Sequence, residues 1–277
     1  MIRRASPGGG LGGGGSCMGR LLIAGAMAAF ALFTYFSSKQ DNPITGETQY
    51  LDMTVDQEIA MGLQAAPEME AEYAGLDADR ALQAQVEQIG NKVVAGSAAG
   101  RSPYQFDFHL LADTETINAF ALPGGQVFIT RALFNDLETE GELAGVLGHE
   151  VGHVVARHSA EQIAKTNLTS GLTGAAVIAT YDPNNPASMG TAQVAQLIGQ
   201  LVNLKFGRDD ELEADKLGVC FLNATGYDPQ EMVGVMQILQ SVSQGGGPPE
   251  FLSTHPDPGN RITRIQEDIA NIDQCPK

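Results

Sequence analysis

Residues 149–153 read HEVGH, two histidines four apart around a glutamate, inside the run GELAGVLGHEVGHVVARH. On an α-helix this spacing places the His149 and His153 imidazoles on one face, where their ring nitrogens can converge on a single ion. Glu150 falls about 100° around the helix from His149, beside the ligands rather than among them, so its carboxylate can reach a metal-bound water. Two imidazoles and an adjacent carboxylate are parts of a hydrolytic metal site: ligands that leave one position open, and a base for the water that fills it. Three fixed residues also arise by chance, so the pattern needs a third ligand from elsewhere.

A second helix with acidic residues is the natural supplier, and RDDELEAD at 208–215 offers several candidates. Glu211 and Asp215 are four apart and share a face. With Glu211 on the metal, Asp215 can accept a hydrogen bond from the free ring N–H of one histidine. Asp209, Asp210 and Glu213 point elsewhere. Without the HEVGH run, the same stretch reads as a solvated acidic helix.

The elements that must position these groups follow from periodicity. Apolar residues recur at helical spacing over 54–66, 77–95 and 140–165, and further helices are expected at 191–204, 208–223, 228–243 and 258–272. YQFDFHLL at 104–111 alternates, and TINAFALPGGQVFIT at 116–130 reads as strand, turn, strand, so a small antiparallel sheet is expected. The stretch 168–180 is apolar but too short to cross a bilayer, and 181–190 reads as a loop. The fold class is α+β and mainly helical. His158 follows His153 by five residues, about 140° off the ligand face of a continuous helix, so a structural role is expected for it, as for His109 in its strand.

HEVGHVVARH, the Glu211-x-x-Ala214-Asp215 pattern, NAFALPGG at 118–125 and the His-Pro pair at 255–256 with Arg261 beyond resemble the motif set of the HtpX and CAAX-prenyl-protease family of gluzincin metallopeptidases. The four blocks run in the family's order from about Asp52 to Asp268. The resemblance implies a zincin-type domain, one Zn2+ held by His149, His153 and Glu211, Glu150 as catalytic base, Asp215 behind the ligands, and endoproteolysis of unfolded or membrane-associated polypeptides. It also places His255 beside the active site, either stabilising the oxyanion or occupying the open zinc position. It further makes Asn118, Ala119, Phe120 and Ala121 part of an edge strand, to which substrate can add as an antiparallel strand. Integral-membrane relatives carry spans around the catalytic helices. Here the spanning candidate is N-terminal, which points to the branch with a soluble periplasmic-type catalytic domain and away from prenylated substrates.

The chain has 277 residues, 33 glycines, no tryptophan, and 33 acidic against 16 basic residues, a formal charge of -17. Such a surface repels phosphate and makes nucleic acid an unsuitable partner. Residues 1–20 form a glycine-rich, flexible lead; 21–38 are an uncharged run long enough for a membrane anchor or uncleaved signal; 39–53 are a linker; and 54–277 form the peptidase domain. Arg3, Arg4 and Arg20 precede the apolar run, so the positive-inside bias puts the body outside the cytoplasm, on the periplasmic side of a bacterial inner membrane. The three cysteines form no CxxC motif, and in an oxidising compartment Cys220 and Cys275 are candidates for a disulfide. The expected function is cleavage of unfolded or misfolded envelope proteins. The alternative is a membrane-tethered chaperone or adaptor with a latent zinc site.

Overall fold

The computed structural model describes residues 14–180, 206–246, 249–255 and 259–276. The loop expected at 181–190, the helix expected at 191–204 and residues 1–13 of the glycine-rich lead lie outside them. Helix α1 (Gly14–Ser37) is followed by the short strands β1 (Lys39–Asp41) and β2 (Thr48–Tyr50), then by α2 (Val55–Glu72) and α3 (Arg80–Ala95). Strands β3 (Asp107–Leu111), β4 (Ala119–Ala121) and β5 (Gln126–Thr130) lead into α4 (Arg131–Asp136), α5 (Glu140–Val155) and α6 (His158–Thr180). The remainder is helical: α7 (Arg208–Thr225), α8 (Glu231–Gly246), α9 (Glu250–Thr254) and α10 (Arg261–Ala270).

Three sequence expectations are revised. The sheet is mixed: β4 and β5 form the expected antiparallel hairpin, but β3 pairs with β5 in parallel, in the order β3-β5-β4. Strand alternation carries no information about direction, and here the connection from β3 runs past β5 so that β4 takes the far edge. The stretch expected as a linker holds the β1-β2 hairpin. Its Asn42 closes the turn by accepting from the backbone N–H groups of Ile44 and Thr45 at 2.9 and 3.1 Å, and its amide donates to the carbonyl of Val155 at 2.8 Å. Gln49 likewise donates to Ala156, so the hairpin is stitched to the end of α5. Helix α1 starts at Gly14, inside the expected flexible lead, because extending an existing helix costs far less than nucleating one.

Helix α5 is the centre of the molecule. Thr139 and Glu142 form a reciprocal cap at its start, and all its residues from Gly141 to Val155 are buried. The apolar residues that give the sequence its helical period, among them Leu143, Val146, Leu147 and Val151, pack into one core with Phe108, Val127, Phe221 and Leu239. Against α7, α5 offers glycine. A Cβ built on Gly152 would lie 3.1 Å from the carbonyl oxygen of Ala214, and one on Gly148 would lie 3.5 Å from Cα of Gly218. The two backbones therefore meet without intervening side chains. A disulfide joins Cys220 of α7 to Cys275, tying the C-terminal segment to the same helix.

Gly152→Leu forces these two helices apart. It is expected to cost about 1–3 kcal/mol of stability, the usual range for overpacking. A thermal melt should show the midpoint falling by several degrees, and an unchanged midpoint would mean the crossing tolerates a wider gap than the contacts indicate.

Candidate active site

Four side chains from three elements meet in the interior. His149 and His153 come from α5, Glu211 from the first turn of α7, and His255 from the residue that ends α9. One ligand atom from each lies within 4.8 Å of all the others, and all four residues are buried. The Nε2 atoms of His149 and His153 are 3.1 Å apart, and Glu211 approaches them at 3.6 and 3.5 Å. His255 Nδ1 lies 3.0 Å from Glu211 and 3.4 Å from His149. Donors about 2.0–2.2 Å from a tetrahedral ion stand roughly 3.3–3.6 Å from each other, so this set suits a zinc-sized cation in chemistry and comes close to it in spacing, its two shortest separations being 3.0 and 3.1 Å. Glu150 stands beside the cluster, with an oxygen 3.7 Å from His255 Nε2. Both Glu150 oxygens and Nε2 of His255 are buried without a hydrogen-bond partner among the described residues. Nitrogen and carboxylate atoms so placed are costly unless they face a cation and its water.

Behind the donors, hydrogen bonds set each ring. Asp215 Oδ1 is 2.9 Å from Nδ1 of His149, which leaves Nε2 to face the cluster. Arg261, at the start of α10, grips Asp215 through Nε and Nη2 at 2.7 and 2.6 Å and reaches Glu211 at 3.1 Å. Burial alone would raise the Asp215 carboxyl, but the Arg261 guanidinium outweighs it and holds the group below the usual carboxylate range. Burial also opposes ionisation of Glu211, and His255 and His153 more than reverse it. His153 is driven well below the ordinary imidazole value by burial, so its ring is neutral and keeps a lone pair for a metal. Glu150 moves the other way: burial raises it, with His255 and His149 opposing, which makes it a stronger proton acceptor than a surface glutamate.

His158 holds His153. Their Nδ1 atoms are 2.8 Å apart, and His158 Nε2 lies 3.2 Å from Glu213. The assignment that satisfies every partner has His153 donating to His158 and His158 donating to Glu213, leaving His153 Nε2 free to ligate. A continuous helix would carry His158 away from the site. The helix breaks instead at Arg157, whose φ of 59 is left-handed. Its guanidinium bonds Glu58, Gln40 and the carbonyl of Met53, which stabilises a conformation rare outside glycine. Neither glycine nor proline marks the break, so no local signal in the sequence reveals it. Glu213, expected to point away, stays outside the donor cluster and meets His158 instead.

Aromatic rings wall the cluster. Phe206 stacks on His153 at 4.1 Å and Phe251 on His255 at 4.5 Å. His109 is remote, stacked on Phe128 and bonded to Gln126. Asn118 is buried, its amide donating to the Tyr73 hydroxyl at 3.0 Å and its side-chain oxygen without a partner among the described residues. Ala119, Phe120 and Ala121 form β4, the edge of the sheet, with Phe120 stacked on Phe128 at 4.9 Å.

Two histidines four apart on a buried helix, a glutamate from a second helix and, next to the first histidine, a carboxylate without a hydrogen-bond partner among the described residues make up the candidate metal site that the resemblance to gluzincin metallopeptidases implies. Consistent with this, residues 80–269 match the model of Peptidase family M48, and the chain belongs to that family. The beta-barrel assembly-enhancing protease of Yersinia pestis is 34% identical over 250 residues, covering 88% of this chain and 50% of that protein. The mitochondrial metalloendopeptidase OMA1 of Schizosaccharomyces pombe is 32% identical over 252 residues, 88% of this chain and 71% of its own length. The Escherichia coli K12 beta-barrel assembly-enhancing protease is 30% identical over 253 residues, 50% of its length. The chain thus spans about half of these bacterial relatives.

Replacing His158 by Phe preserves ring volume and removes both of its hydrogen bonds. Metal retention against a competing chelator is expected to fall about 10- to 100-fold. Unchanged retention would reduce His158 to a packing residue.

Proposed function

We propose that this chain is a zinc-dependent endopeptidase that hydrolyses peptide bonds in unfolded or misfolded envelope proteins. The observation that carries the reading is the convergence of His149, His153 and Glu211 on one point, with the Glu150 carboxylate alongside and without a hydrogen-bond partner among the described residues. One zinc ion per chain, held by these three residues, would supply Lewis acidity, lowering the pKa of a bound water towards neutrality and polarising the scissile carbonyl. Glu150 takes the proton from the attacking water and hands it to the leaving amine. Its burial suits both duties, because a raised pKa favours holding the proton between the two transfers. Asp215 and Arg261 keep His149 oriented, and the Phe206 and Phe251 rings exclude bulk water.

An extended polypeptide adds through main-chain hydrogen bonds to the edge of β4 that no strand pairs among the described residues, which suits varied and unfolded sequences. Ala119, Phe120 and Ala121 would supply that edge, with Asn118 at its start. The apolar, exposed α1 is long enough to cross a membrane, and the arginines before it favour a catalytic domain on the periplasmic side or its equivalent. The Cys220–Cys275 disulfide supports an oxidising compartment.

A second reading is favoured by His255. Its ring sits where a fourth donor belongs, so the resting enzyme is latent until the segment carrying His255 moves, and the chain could serve as a membrane-tethered chaperone or adaptor. Once displaced, the same imidazole can stabilise the oxyanion. Burial opposes a charge on His255, but Glu211 and Glu150 outweigh it and raise its pKa, which favours that role.

Glu150→Gln is expected to preserve fold and zinc content while lowering peptide cleavage at least 100-fold, within the range that general-base loss produces. Release of products from an unfolded envelope protein, with and without chelator, measures it. Equal cleavage by the variant would overturn the mechanism, and chelator-insensitive binding without cleavage by the wild type would favour the adaptor.

A further inference from the structure

We propose that the stretch Leu168–Ala175 of α6 lies in the membrane beside α1, so that the catalytic domain is held by a helix pair rather than a single tether. The proposal rests on reading α1 as a spanning helix. The span of α1, Met18–Ser37, is 20 residues, about 30 Å, the thickness of a bilayer core. Its Leu22, Phe30, Phe33 and Phe36 side chains are exposed, which suits lipid.

Helix α6 runs antiparallel along that span. A Cβ built on Gly171 would lie 2.8 Å from the Ala31 side chain, and one on Gly174 would lie 3.8 Å from Cε of Met27. Met27 is midway along the span, so wherever α1 crosses, Gly174 sits near the bilayer centre. After Lys165, α6 continues as TNLTSGLTGAAVIAT, without a charge. That length reaches the middle of a membrane but not its far side.

The contact has the form that lipid selects. Between apolar helices in a bilayer there is no hydrophobic drive, so association depends on small residues that let backbones approach, and Gly171 and Ala175 supply a small-xxx-small pair facing α1. In a water-exposed helix, Gly171 and Gly174 would each cost about 1 kcal/mol relative to alanine. The exposed hydroxyls are satisfied internally, as lipid requires: Thr169 donates to the Lys165 carbonyl at 2.9 Å, Thr173 to that of Thr169 at 2.8 Å, and Thr34 of α1 to that of Phe30 at 3.0 Å.

Polar and aromatic groups collect at one level, the C-terminal end of α1. Tyr35 stacks on Tyr50 at 4.9 Å, Asn167 donates to Asp52 at 2.7 Å, and Lys165 pairs with Glu161 at 3.6 Å. Such a belt marks a membrane surface. His158, which holds the ligand His153, is seven residues above Lys165, about 10 Å along α6. The cleavage site therefore stands close over the membrane and favours polypeptide segments emerging from it.

Because the chain has no tryptophan, single reporters are unambiguous. The full chain is placed in phosphatidylcholine vesicles with acyl chains brominated at different depths, carrying Leu172→Trp, Phe33→Trp for the anchor, or Leu76→Trp on the exposed body. Leu172→Trp is expected to emit blue-shifted and lose emission to deep bromines to the same extent as Phe33→Trp, while Leu76→Trp is unaffected. Thr173→Trp, on the same exposed face, replaces Leu172→Trp if that variant misfolds. Quenching of Phe33→Trp with water-like, unquenched emission from positions 172 and 173 would overturn the proposal and leave the anchor standing. Absence of quenching at all three positions would remove the anchor itself and the proposal with it.

Discussion

The close crossing of α5 and α7 is the constraint on which the molecule depends. Imidazole and carboxylate side chains are short, so a glutamate on one helix and two histidines on another can share an ion only if the backbones nearly touch. Gly148 and Gly152 on α5, facing Ala214 and Gly218 on α7, remove the side chains that would hold the helices apart. The apolar residues around the crossing supply the burial that stabilises it, since glycine contributes none of its own. The same burial makes the site expensive: His149, Glu150, His153, Glu211, Asp215 and Arg261 are all withdrawn from water.

That expense is offset by pairing. Arg261 compensates Glu211 and Asp215 of α7, and its helix α10 thereby becomes a clamp on the candidate metal site although it donates no ligand. Removing one partner of such a buried pair costs about 3–5 kcal/mol, which makes α10 integral to the candidate site. The Cys220–Cys275 bridge reinforces the same attachment. On the other side of α5, the Arg157 turn and the β1-β2 hairpin do comparable work, joining α2 and the end of α5 to the candidate ligand His153.

Much of the donor set was legible because helical spacing is a local property. His149, Glu150 and His153 share a face by arithmetic, and Glu211 with Asp215 by the same arithmetic on α7. The hairpin around Pro123, Gly124 and Gly125 was equally plain, since both glycines have positive φ that the turn requires. The parallel pairing of β3 with β5 was not, because direction is set by where the chain returns and not by alternation along a strand.

What the sequence determined by itself was therefore the candidate chemistry: residue types able to bind a metal, their faces on their own helices, a candidate base, and an apolar run long enough for a bilayer. Only the tertiary structure decided which groups support them. His158 turns back to His153 because Arg157 takes a left-handed conformation held by Glu58 on α2, ninety-nine residues away. Arg261 reaches Asp215 and Glu211 because α10 returns to α7, and α6 runs down α1 because small residues let it. Each of these depends on contacts between residues remote in the chain, and no periodicity within a segment encodes them.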